Sequence, residues 1–313
     1  MDRNKIKSSL YGFIIGDSLG VPYEFQSRDK MKRNPVTTMV GGGTWGQPKG
    51  TWSDDSSLVL STLDSLSRGY NLSDLGYNFD SWLYSDHFTP HGEVFDVGNQ
   101  TRISLSRIHS LINENKPITP LPQTTDDTQN GNGSLMRILP FGFYLQNYPI
   151  EERWNIINEV SSLTHPHIRS VIGCFIYSEL VMELMVGGNK IDSYNRMKVR
   201  VSEFLKDRIS SSEMEIFGRI FKSDIRNLKE VELQSTPYVV YTLESVLWCF
   251  LNQDNFKDSV LTGINLGGDT DTIGSLIGGL SGIIYDDIPK EWINSLVKEE
   301  EIFEVVDLFI DTL

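Results

Sequence analysis

Apolar residues return at helical spacing along most of the chain, for example at Trp154, Ile157, Val160 and Leu163 and then at Val171, Phe175, Leu180 and Leu184. A stripe with that period faces a core once per turn, so it predicts helices rather than strands. The same reading predicts helices over 4–20, 54–68, 73–85, 98–113, 133–146, 150–164, 167–186, 191–208, 213–222, 238–252, 256–266, 271–285 and 299–311. Alternating runs bounded by turn residues are scarce, which disfavours an open parallel sheet. Gly, Pro, Asn and Asp collect in four irregular stretches, 27–51, 86–97, 115–133 and 223–237. Long loops in a helical protein tend to line a site or to move. With no internal repeat and no linker-like shift in composition, residues 1–313 are expected to form a single all-α domain.

Composition adds what such a helical body can bind. The 313 residues hold 28 Lys and Arg against 42 Asp and Glu, a formal net charge of −14. A surface that is negative on average repels phosphate backbones, so nucleic acid is a disfavoured partner. Cys174 and Cys249 sit in apolar stretches, with no second Cys or His at metal-ligand spacing, and read as buried free thiols. The basic and then apolar start is interrupted by Asp17, and residues 273–285 fall short of the roughly 20 needed to span a bilayer. A cytoplasmic protein without a membrane segment is the expectation.

Candidate chemistry concentrates in two acidic strings, Ser53-Asp54-Asp55-Ser56 and Asp269-Thr270-Asp271-Thr272, each opening onto an apolar helical pattern. Such residues cap helices and complement the positive end of the helix dipole. One cap needs one residue, however, and several carboxylates in one turn repel each other unless something positive lies between them. Four aspartates, Asp54, Asp55, Asp269 and Asp271, would balance two divalent cations, and their hard oxygen donors suit Mg²⁺ or Mn²⁺, with Ca²⁺ as an occupant under crystallisation conditions. Spacing alone leaves the ion pair and the paired caps as equal alternatives, because 214 residues separate Asp55 from Asp269. Between the strings, Asn130-Gly131-Asn132-Gly133-Ser134 reads either as a nest of backbone N–H groups for phosphate or as a plain tight turn.

Five segments, GFIIGDSLGVPYEF (12–25), GTWSDDSSL (50–58), FDVGNQTR (95–102), NGNGSLMR (130–137) and GGDTDTIGSLIGGL (267–280), resemble in this order the ADP-ribosylglycohydrolase family. The resemblance implies a compact orthogonal array of helices with a binuclear Mg²⁺ or Mn²⁺ centre. It implies metal ligation by Ser53, Asp54, Asp55, Asp269, Asp271 and Thr272. Ser53 stands where Thr is also common, and Gly274 where Ala is frequent. As catalytic residues the resemblance implies Glu24, which resembles the family carboxylate that approaches the metal pair and is linked to gating or water activation, and Asp96, which matches the loop carboxylate near the scissile bond. From the residues alone, Glu24 reads as an exposed residue after Pro22 and Asp96 as a helix cap. Asn99, Asn132, Gly133, Ser134, Met136 and His165 match substrate-binding positions, while His87, His91, His109 and His167 receive no role. The implied reaction is hydrolysis of the bond between ADP-ribose and an acceptor, an arginine side chain of a protein being favoured, with ADP-ribose as product. Two-metal phosphoester hydrolysis and non-catalytic binding of ADP-ribose are the alternatives.

Overall fold

The structure is a computed structural model that describes all residues, Met1–Leu313. In chain order the first helices are α1 (Arg3–Gly20), α2 (Arg28–Arg33), α3 (Asp54–Leu66), α4 (Leu72–Ser85), α5 (Asn99–Asn113), α6 (Leu139–Tyr144), α7 (Ile150–Ser162) and α8 (Ile168–Val186). They are followed by α9 (Lys190–Leu205), α10 (Ser211–Ile216), α11 (Gly218–Phe221), α12 (Val239–Asn252), α13 (Phe256–Ile264), α14 (Thr270–Ile284), α15 (Lys290–Ile293) and α16 (Glu299–Asp311). Extended pairing is confined to three isolated bridges, Gly42 with Gln47, Thr124 with His167 and Gly131 with Tyr238.

Two helices are buried on every side, α8 from Ser170 to Leu184 and α14 from Thr270 to Ile283. A helix that is apolar or small all round belongs at the centre, with amphipathic helices around it. One continuous hydrophobic cluster joins Ile6 of α1 to Ile310 of α16. No helix is long and apolar enough to cross a membrane.

The packing that positions the acidic strings is the antiparallel contact of α1 with α14. Backbone meets backbone there: a Cβ added to Gly16 would lie 2.0 Å from the carbonyl oxygen of Gly274, and one added to Gly274 would lie 2.5 Å from that of Gly16. Glycine removes the side chain that would hold the two helices apart. The Gly20 end of α1 therefore lies against Thr270 and Asp271, and the Thr270 hydroxyl donates to the Gly20 carbonyl at 2.8 Å. Residues 250 positions apart in sequence thus become neighbours. At the same point, Ala in place of Gly274 would be a steric error in this chain.

Three boundaries differ from the periodicity. The helix expected over 133–146 is a 3₁₀ turn at Leu135–Arg137 followed by the short α6, because Pro140 in the first turn of α6 cannot continue a helix entering from upstream. The helix expected over 213–222 is broken into α10 and α11 next to Gly218, a poor helix former. Within the stretch read as irregular, 27–51, α2 forms under a cap from the Ser27 hydroxyl to the Lys30 N–H.

Candidate active site

The first acidic string opens α3. Ser53 is its N-cap, its hydroxyl accepting from the Asp55 N–H at 3.3 Å, so one residue meets the capping need. Asp17, buried in α1, adds a second anchor: its carboxylate accepts from the backbone N–H groups of Ser53 and Ser56, each at 3.0 Å, and from the Ser56 hydroxyl. Burial pushes Asp17 up to about 6, against the pull of those donors. The capping work is done by Ser53 and Asp17, which leaves Asp54 and Asp55 free for other partners.

The second string opens α14, and its N-cap, Asp269, makes no capping bond to its own helix. Asp269 Oδ2 instead accepts from Asn132 Nδ2 at 2.6 Å, which ties the central glycine-rich loop to the string. The Ser275 hydroxyl donates to Asp55 Oδ2 at 2.9 Å and the Thr272 hydroxyl lies 3.4 Å from Asp55 Oδ1, so the two strings meet directly. Paired caps would account for none of these contacts across the 214-residue separation.

Two further carboxylates join them. Glu24 is 4% exposed, not the surface residue its place after Pro22 suggests, and its Oε2 accepts from the indole N–H of Trp45 at 2.5 Å. Asp96 is half-buried at φ +54°, a left-handed conformation that Asp tolerates better than most residues. One oxygen from each of Glu24, Asp96 and Asp271 falls within a sphere of mutual distances under 4.8 Å.

The electrostatics of the group are one-sided. Burial raises Glu24, Asp54, Asp55 and Asp271 above the ordinary carboxylate range, and each is raised further by its acidic neighbours, with Asp96 common to all four. Asp96 and Asp269 are raised by burial as well. No lysine or arginine pairs with any of them. The nearest basic influence on Asp54 is Arg137, whose own hydrogen bonds go to the Gly133 and Val160 carbonyls and the Thr164 hydroxyl. Five buried carboxylates and the half-buried Asp96, without a cationic side chain, fit hard divalent ions, which would supply the missing positive charge.

The expected ligand-binding residues divide. Asn132 faces the acidic group, through Asp269 and the Thr242 hydroxyl at 3.0 Å. His165 is buried beside Gly133, where a Cβ would meet its Cε1 at 2.5 Å, and it shares a 2.8 Å hydrogen bond with the Thr164 hydroxyl. Burial, and then Arg137, press His165 down to about 3. Ser134 is turned into the core, its hydroxyl accepting from Ser161 at 2.8 Å and from the Cys174 thiol at 3.4 Å, and Met136 is a core residue. Both are buried, and the Met136 N–H donates to the Asn132 carbonyl at 3.0 Å, so neither side chain is offered to a ligand. Asn99 is exposed at the start of α5.

Sequence reasoning missed Asp17, Trp45 and Arg137. A signal for Asp17 exists in hindsight of the packing: a lone carboxylate inside GFIIGDSLG, on a helix otherwise apolar or small. A surface hollow of about 790 Å³ beside Ile150, Val199, Arg200 and Phe204 includes no member of the acidic group, so the convergence of charge rather than size of cavity marks the site.

The family model described as ADP-ribosylglycohydrolase matches residues 1–313. The chain is similar to an ADP-ribosylarginine hydrolase of Serratia proteamaculans, 27% identical with 97% of this chain and 78% of that protein covered. It is 29% identical to the ADP-ribosyl-(dinitrogen reductase) glycohydrolase of Rhodospirillum rubrum, with 98% of this chain and 96% of that one covered. Among solved structures, an ADP-ribosylglycohydrolase-related protein complex superposes with a TM-score of 0.80 at 24% identity, covering 99% of this chain and 98% of the other.

Proposed function

This chain belongs to the ADP-ribosylglycohydrolase family and is a glycosidic-bond hydrolase, and from that premise we propose that it frees ADP-ribose from arginine side chains with the help of two divalent cations, Mg²⁺ or Mn²⁺. The observation that carries the proposal is the gathering of five buried carboxylates, Glu24, Asp54, Asp55, Asp269 and Asp271, with the half-buried Asp96, where Glu24, Asp96 and Asp271 converge and no basic side chain pairs with any of them. The preference for arginine rests on the name of the Serratia relative. One domain, residues 1–313, carries the activity, in keeping with a core that draws on both ends of the chain. The two buried free thiols, Cys174 and Cys249, fit a reducing cytoplasm.

Ser53, Asp54, Asp55, Asp269, Asp271 and Thr272 are the residues that would hold the ions. Bound there, the ions supply positive charge for the ribose hydroxyls and an activated water. Cleavage of a glycosidic bond builds positive charge on the sugar while the leaving group departs and takes up a proton. Buried carboxylates favour that developing charge, and a carboxyl group raised by burial holds a proton near neutral pH to deliver to the departing nitrogen. Glu24, pushed up to about 9, is placed to hold such a proton, and the transfer falls to Glu24 or Asp96. Asn132 fixes Asp269 and so aligns the second string with the first. The loop Asn130–Ser134 would receive the diphosphate, with His165 kept neutral behind Gly133.

The test measures ADP-ribose release from arginine-, serine- and DNA-linked substrates with Mg²⁺ or Mn²⁺. Release from the arginine conjugate, lost in excess EDTA and in the Asp269→Ala/Asp271→Ala double variant, is expected. Undiminished release in either case would overturn the metal-dependent mechanism, and AMP among the products would point to phosphoester cleavage instead.

A further inference from the structure

The two candidate catalytic carboxylates each have an aromatic neighbour in sequence, Phe25 after Glu24 and Phe95 before Asp96. Trp45 lies between those rings, with centroids 6.3 Å from Phe25 and 5.8 Å from Phe95, while its N–H holds Glu24. The Phe25 side chain gains little from packing, since the residue is 62% exposed. Its backbone is also strained, at φ +62°, a region that bulky residues rarely enter. Such strain persists only where surrounding structure over-determines it, and its presence beside a site points to use. Here the Phe25 N–H donates to the Gly268 carbonyl at 2.7 Å and the Gly268 N–H donates to the Gln26 carbonyl at 2.8 Å. The residue immediately before Asp269 therefore holds the backbone that carries the exposed ring.

We propose that Phe25, Trp45 and Phe95 form the acceptor subsite, an aromatic surface that receives the planar guanidinium of the ADP-ribosylated arginine beside Glu24 and Asp96. The inference rests on the glycohydrolase reading above and adds to it the residues that select the leaving group. Aromatic faces carry negative quadrupole density, and a delocalised, weakly hydrated guanidinium stacks on them better than a compact ammonium. A neutral serine acceptor gains nothing from this arrangement.

Agmatine, a guanidinium without ADP-ribose, serves as the probe, with putrescine as the ammonium control. Agmatine is expected to compete with the arginine-linked substrate better than putrescine does. Phe25→Ala should weaken agmatine inhibition and raise KM for that substrate by about 2- to 30-fold, the range of one cation–π contact, with a smaller change for the serine-linked one. Phe25→Tyr should restore both values, and Tyr77→Ala, an exposed ring on α4, should change neither. Phe25→Gly is the check on folding: it relieves the strained φ, so it should melt no lower than wild type and still show the loss. Equal effects of Phe25→Ala on both substrates, no effect on either, or no agmatine binding to the wild-type protein would overturn the subsite. If wild type releases ADP-ribose from no conjugate, the functional reading fails by itself. Calorimetric titration of agmatine into wild type and Phe25→Gly then still decides whether the aromatic surface binds guanidinium.

Discussion

Removing one charge from the acidic group should make the ion-free protein more stable and the ion-loaded protein less so. Asp271→Asn is the cleanest such change: Asp271 Oδ1 accepts the Thr272 N–H at 2.9 Å, and the amide oxygen of Asn can take the same bond. What goes is a carboxylate that is itself raised by Glu24 and Asp96 and has an oxygen within 4.8 Å of one from each. Relief of repulsion at a functional site is worth about 0.5–2 kcal/mol. Unfolding entropy of about 2.1 cal/mol/K per residue gives roughly 0.7 kcal/mol/K for a chain of this length, so the EDTA-treated variant should melt about 1–3 °C above EDTA-treated wild type. An ion present at 100 times its Kd stabilises by about 2.7 kcal/mol, which raises the wild-type Tm by about 4 °C, and by about 8 °C for two independent ions. Calorimetry or dye-monitored melting with EDTA, then with Mn²⁺ or Mg²⁺, reads both quantities. A variant that melts below wild type without ions and keeps the full ion-induced rise would show that Asp271 neither suffers repulsion nor holds a cation.

Gly16→Ala should destabilise by more than the 1–3 kcal/mol typical of overpacking, because the new methyl would meet backbone 2.0 Å away rather than a movable side chain; urea unfolding gives the value, and the ion-induced rise in Tm should shrink with it. Asp17→Asn places an NH₂ group against the N–H donors of Ser53 and Ser56 and should cost about 1–3 kcal/mol, again measured by urea, with weaker ion binding as Ser53 shifts. His165 stays neutral in the folded state to about pH 3, whereas the unfolded chain takes up a proton below about 6.5. Its contribution is therefore intact above pH 6.5 and lost as pH falls from there toward 3, about 2 kcal/mol by pH 5. Since the raised carboxylates bend the profile the other way, the check is the difference between wild type and His165→Asn, whose slopes should separate only below pH 6.5.

The density of acid in Ser53–Asp55 and Asp269–Thr272 was legible because three of four residues in a turn carry more charge or hydroxyl than a cap requires. So were α14 and α16, whose apolar periods and starts agree with the structure. Glu24 illustrates the limit: its chain neighbours Pro22 and Tyr23 suggest a surface turn, and only the approach of Trp45 and Asp271 buries it. Asp17 was visible merely as a blemish in an apolar run, since its partners, the N–H groups of α3, are set by tertiary packing. The four-residue spacing of Gly12, Gly16 and Gly20 and of Gly274, Gly278 and Gly282 stood in plain view, yet a small-residue stripe acquires meaning only when its partner stripe is known. Local patterns disclose elements and excess charge, whereas contacts across hundreds of residues have no local trace.

The glycine contact between α1 and α14 sets a timetable for synthesis. Helix α1 leaves the ribosome first, but the surface it fits is translated about 250 residues later, a wait of roughly 10–50 s at 5–20 residues per second. During that interval a nascent chain exposes Ile6, Leu10, Phe13 and Ile14 with no mate for them, and it lacks Asp269 and Asp271 of the acidic group. A chain stalled or cut before α14 is therefore a client for chaperones and proteases rather than a partly active enzyme.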